Sequence, residues 1–136
     1  MSKYSQSFLL ARIAVGISLF GHGLVRIPIL SSFSGWMIGQ FEKSILPHEL
    51  VTAFSYVLPF AELLIGLFIL VGLFSRQSLI AGALLMIILV FGSTTIQQWD
   101  AIPSQLIHVS MITVLLAFVD QENTFALDKL LNHRKV

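Results

Sequence analysis

Cysteine is absent from this 136-residue chain. That excludes disulfides, thiol catalysis, Cys-bound metal clusters and a CxxC redox pair. Charge is nearly as scarce: 11% of residues are Asp, Glu, Lys or Arg, where a soluble domain carries about 25%. The net charge is +1 and no basic cluster is present, so nucleic acid is not a partner. No metal site is read from the remaining His, Asp and Glu. What is there is apolar: 56% hydrophobic residues and a mean hydropathy of +0.88. This is the composition of an integral membrane protein, and its length suits one compact bundle. Any redox work must then run through a bound cofactor, a quinone or a partner.

Four apolar stretches are long enough to cross a bilayer, which takes about 20 residues. They are predicted at about residues 8–27, 50–73, 78–96 and 103–119. The first is too long for a signal-peptide core and no small-residue cleavage site follows it, so it is read as a retained span. Pro28 stops the first helix, Pro59 sits inside the second, and Pro103 opens the fourth at a favourable helix-start position. The fold class is therefore all-α, an integral membrane four-helix bundle forming a single domain over 1–136. Between the first two spans, Trp36, Met37, Phe41 and Ile45 share one helical side, which predicts a short interfacial helix anchored by Trp36. An ordinary extramembrane loop is the plainer reading. After the last span, Phe125, Leu127, Leu130 and Leu131 alternate with Asp128 and Lys129, as an amphipathic surface-lying tail would.

Lysine and arginine set the orientation. Lys3, Arg12, Arg76, Lys129, Arg134 and Lys135 fall on the side of the termini; only Arg26 and Lys43 fall on the other. Both termini are expected in the cytoplasm of a bacterial cell, with the protein in its inner membrane.

The acid in the second span carries the most information. Placing a charged group mid-span costs about 2.5–3.5 kcal/mol on insertion scales, so Glu62 needs a partner, a proton or a task. In the first span Ala14, Ser18, His22 and Arg26 form one stripe; in the fourth, Ser104, His108, Met111 and Leu115 do. Helix direction brings His22, Arg26, Glu62, Gln97 and His108 to a similar depth, in the outward half of the bundle. They are the candidate site: Glu62 and His22 as catalytic groups, and His22, Arg26, Glu62, Gln97 and His108 as cofactor ligands. Each has a structural reading too. Glu62 and Arg26 can pair to fix helix register, and either histidine can bond a neighbouring helix. Arg12 is expected to snorkel to lipid phosphates, and Arg76 to serve topology.

The chain resembles the DoxX family of small four-span membrane proteins. The segment LLARIAVGISLFGHGLVRI carries the arginine and His-Gly pair of that family's first helix, here Arg12, His22 and Gly23, followed by Arg26. The segment AELLIGLFILVGLFSRQSLIAGALLMI carries its glutamate, Gly-Leu turn and arginine, here Glu62, Gly66, Gly72, Leu73 and Arg76. The ending FALDKLL, with Asp128, is also similar. Relatives include the small subunit of an archaeal thiosulfate:quinone oxidoreductase. The resemblance thus implies a redox setting.

Three functions fit. The first is a quinone-linked redox subunit, with His22, His108 and Arg26 donating to the ring oxygens and Glu62 carrying protons. In a variant of it the two histidines clamp a haem. The second is a non-catalytic membrane anchor or assembly subunit, its loop and tail docking a soluble or membrane redox partner. The third is a small-molecule or ion carrier, with a homo-oligomer supplying further spans. The lipid bilayer is a partner in all three.

Overall fold

A computed structural model describes residues 2–133. Among them the chain is helical without strands. Four helices are long and apolar enough to cross a membrane: α1 (Lys3–Arg26), α3 (His48–Val71), α4 (Ser75–Thr95) and α5 (Ile102–Glu122). A 3-10 turn (Ile27–Ile29) joins α1 to the short α2 (Leu30–Gln40), and α6 (Leu127–His133) follows the last span. The molecule is an all-α membrane bundle, as its composition requires.

The helices pack as two antiparallel pairs, α1 with α3 and α4 with α5; α1 also meets α5, and α3 meets α4, closing the ring. The first pair is tight because its contact is built on glycine. A Cβ on Gly16 would lie 2.8 Å from the Leu70 backbone, and one on Gly66 would strike the backbone of Phe20. In lipid, where apolar surface alone drives nothing together, such close approach supplies the dispersion contacts that hold helices. Leu19, Leu58, Ile69, Leu79 and Ile112 fill the middle of the ring. α3 runs unbroken through Pro59, which cannot donate to the Ser55 carbonyl one turn back.

α2 departs from its expected form. The chain does not leave the bundle at Pro28; it makes one 3-10 turn and resumes as helix. α2 then lies against α3, burying Phe33, Ser34 and Met37, with Ser34 and Ser55 hydroxyls 2.7 Å apart. The buried face is thus 33/34/37. Trp36 is half exposed and Ile45 falls beyond the helix end, fully exposed. Of residues 36–45, the last five lie beyond the helix, so Phe41 and Ile45 do not extend its apolar face.

The opposite end carries the second departure. Arg12 does not reach for lipid. It is 4% exposed, its guanidinium bonded to the Asn123 side chain and, at 2.6 Å, to the Phe125 carbonyl. Asn123 in turn donates to Ser75 Oγ at 2.8 Å. Asp128 accepts from the backbone N–H groups of Phe74 and Ser75, both at 2.8 Å. Those are donors at the start of α4, so the tail's acid caps another helix. The α3–α4 turn needs this help. Gly72 (φ 71) ends α3 in a left-handed conformation and Phe74 (φ 46) repeats it without glycine's freedom. The tail is therefore stitched down at 123–128, while Phe125, Leu130 and Leu131 keep their apolar sides exposed.

Candidate functional site

At the end of the bundle covered by α2, the two helix pairs separate around a cavity of about 420 Å³. α1 contributes Leu19, His22 and Arg26; α3 contributes Leu58 and Glu62; α5 contributes Ser104, Gln105 and His108. Phe33, Trp36 and Met37 of α2 line it on one side, and Met86 and Ser93 of α4 line it as well. The lining is mostly apolar with a few polar groups, and the volume lies within the range of small-molecule sites, about 300–1,000 Å³.

Its most polar feature is an ion pair. Nη1 of Arg26 lies 2.7 and 2.9 Å from the two carboxylate oxygens of Glu62. The side chains differ in exposure, 27% for Arg26 and 4% for Glu62. The guanidinium also sits over the Phe33 ring, 4.7 Å from its centroid, so α2 holds it from the other side.

The histidines are tied together through Ser18. His22 Nδ1 is 2.7 Å from the Ser18 carbonyl, and His108 Nδ1 is 2.8 Å from the Ser104 carbonyl. A carbonyl only accepts, so in each neutral ring the proton sits on Nδ1. His108 Nε2, 2.7 Å from Ser18 Oγ, must then accept the serine proton. Both nitrogens of His108 are committed. Nε2 of His22 has no hydrogen-bond partner among the described residues and carries a free lone pair. The two rings meet edge to face, 6.3 Å between centroids.

Four of the five residues expected here come together: His22, Arg26, Glu62 and His108. Gln97 does not. α4 ends at Thr95, and Gln97 adopts a left-handed conformation (φ 56) that turns it out to solvent. Gln98 lines the cavity in its place, and so does Gln105, which donates from Nε2 to Ser93 Oγ at 2.9 Å. Gln105 was legible in principle, since it stands three residues before His108 on one helix and so on a neighbouring face.

The model of the DoxX family matches residues 7–99. That stretch holds His22, Arg26 and Glu62; Gln105, His108 and the FALDKLL ending lie beyond it. No curated protein and no solved structure matches the chain. With more than half its length matched, over the same helices that form the ion pair, the chain belongs to the DoxX family.

Proposed function

We propose that the protein is a quinone-binding membrane subunit of a redox complex, with the head group held in the cavity under α2. One observation carries the reading: a mostly apolar cavity of about 420 Å³ whose polar groups include the Arg26–Glu62 ion pair and an imidazole with a free nitrogen. A quinone, when bound, supplies a two-electron, two-proton couple. The residues here suit its ring and its protons. Arg26 uses one terminal nitrogen on Glu62, which leaves its other N–H groups as donors for a ring oxygen. His22 Nε2 can take a proton, and Glu62, beside Arg26 and within electrostatic reach of both histidines, can pass one on. Phe33, Trp36 and Met37 give the ring an apolar surface on the α2 side. Electrons would come from a partner protein with its own redox group. Haem fits less well, since it asks for two free imidazole nitrogens and His108 has none.

The setting is a multi-pass protein of the bacterial inner membrane with both termini in the cytoplasm. The test is quinone-dependent turnover in native membranes. Glu62→Gln should abolish it while the purified variant keeps its helical spectrum; unchanged turnover would remove the quinone role. The closed Arg26–Glu62 pair also supports a second reading, a non-catalytic subunit in which these groups only set helix register. A pull-down that recovers a redox partner, with full activity in a His22→Ala complex, would favour it.

A further inference from the structure

The cavity is not sealed, and the sides on which it meets its surroundings differ in chemistry. Its exposed lining residues fall in two groups. On α1, α2 and α5 they are His22, Trp36 and Ser104, each with a hydrogen-bonding group. On α3 and α4 they are Leu50, Ile88 and Phe91, all apolar and each more than half exposed. α3 and α4 do pack nearer their connecting turn, where a Cβ on Gly82 would meet Ile65 and Ile69 at 3.4 Å. Toward the α2 end the cavity is lined by Leu50 and Phe54, one turn apart on α3, and by Ile88 and Gly92, one turn apart on α4. Gly92 offers no side chain to fill the gap. The Phe41 ring, from the turn after α2, comes no closer than 3.4 Å to where a Cβ on Gly92 would stand.

We infer that the seam between α3 and α4 is a lateral portal, through which the hydrocarbon tail of a membrane-borne quinone passes from the cavity into the lipid. The inference rests on the quinone reading and deepens it: the ligand is a long-chain quinone taken from the bilayer, not a water-soluble ring. The segregated lining sets the ligand's direction. Arg26 and His22 offer the head a donor and a free ring nitrogen. A tail led out past His22 and Ser104 would cover polar atoms that it cannot bond, which costs free energy. Between Leu50, Ile88 and Phe91 it meets surfaces as apolar as the lipid it came from, so threading it there costs little. The tail adds no polar contact; the portal selects for it by shape and by the absence of polar groups.

The test uses the full chain in lipid nanodiscs and a benzoquinone whose decyl tail ends in a diazirine. After photolysis, labelled residues are identified by mass spectrometry, with and without excess untagged decylbenzoquinone. The expected result is label at Leu50, Ile88 or Phe91 that the untagged quinone suppresses. Label there that it leaves unchanged would be contact with bulk lipid and would overturn the portal. Suppressible label at His22, Trp36 or Ser104 instead would overturn the portal and leave the quinone reading standing. No suppressible label at any residue would overturn the two together. Affinity gives a second readout, through quenching of the fluorescence of Trp36, which lines the cavity. Gly92→Leu, which fills the seam, should weaken the decyl quinone about tenfold or more, as overpacking by one side chain does, and change its tail-less parent less than about threefold. An equal effect on both ligands, or none on either, would overturn the portal. Should Gly92→Leu not fold, Ile88→Trp narrows the same seam from its exposed lip.

Discussion

The two partners of the Arg26–Glu62 pair are not equivalent, and that asymmetry is measurable. Removing one member of a buried ion pair leaves the other charge uncompensated, at a cost of about 3–5 kcal/mol. Arg26 retains 27% side-chain exposure and can turn toward water once Glu62 is neutral; Glu62, at 4%, has no such escape. Arg26→Leu should therefore destabilise the bundle far more than Glu62→Gln, by a margin of about 2 kcal/mol or more. The double variant Arg26→Leu/Glu62→Leu should recover much of the loss, because it leaves no buried charge. Thermal unfolding in detergent measures all three; equal costs for the two single variants would contradict the asymmetry. This pair was legible in the sequence, since an acid in an apolar span needs a basic partner at its own depth and few were available. Gln97 was misplaced for a reason sequence hides: a single left-handed residue decides which of two adjacent glutamines faces in.

At the scale of elements, glycine placement makes α1 and α3 a unit. Gly66→Ala puts a methyl group into the Phe20 backbone, and overpacking of this kind costs about 1–3 kcal/mol. Gly21→Ala, on the same helix pair, meets nothing within 4 Å and should be neutral or gain a few tenths of a kcal/mol from helix propensity. Denaturation of the two variants side by side separates contact from propensity. The tail is the other element-level device. Asp128 lies beyond the last membrane-spanning helix. Partial burial pushes its carboxyl upward, but hydrogen bonds from Ser75 and Phe74 and the charge of Arg12 outweigh that, so it ionises below the usual carboxylate range. Its stabilising effect is then fully present above about pH 4 and is lost as pH falls through the depressed native value. Asp128→Ala should cost about 1 kcal/mol at neutral pH, as loss of a helix cap does, and should flatten that acid limb of the stability curve. Equal acid sensitivity in both proteins would show that the cap is idle. Spans and their lengths were legible because apolar length is local; the Arg12–Asn123 bond was not, because its partners stand 111 residues apart and nothing in a single pattern links them.

For the whole molecule, the question that remains testable by charge alone is which way it sits. The end bearing Lys3, Arg76 and Lys129 also holds the stitched tail, while Arg134 and Lys135 lie outside the described residues; the α2 end holds Arg26, already paired, and Lys43. Positive charge in short loops stays on the cytoplasmic side, so the cavity should open toward the outer face and the tail toward the cytoplasm. The absence of cysteine makes this simple to check, since any introduced thiol is the sole one. Gln97 and Lys129 are exposed at opposite ends. Gln97→Cys should react in intact cells with a membrane-impermeant maleimide, and Lys129→Cys only after the membrane is opened. The reverse pattern would put the cavity on the cytoplasmic side. A redox partner acting at the ring would then have to be a cytoplasmic protein, whereas the expected labelling requires one that works at the outer face or within the membrane.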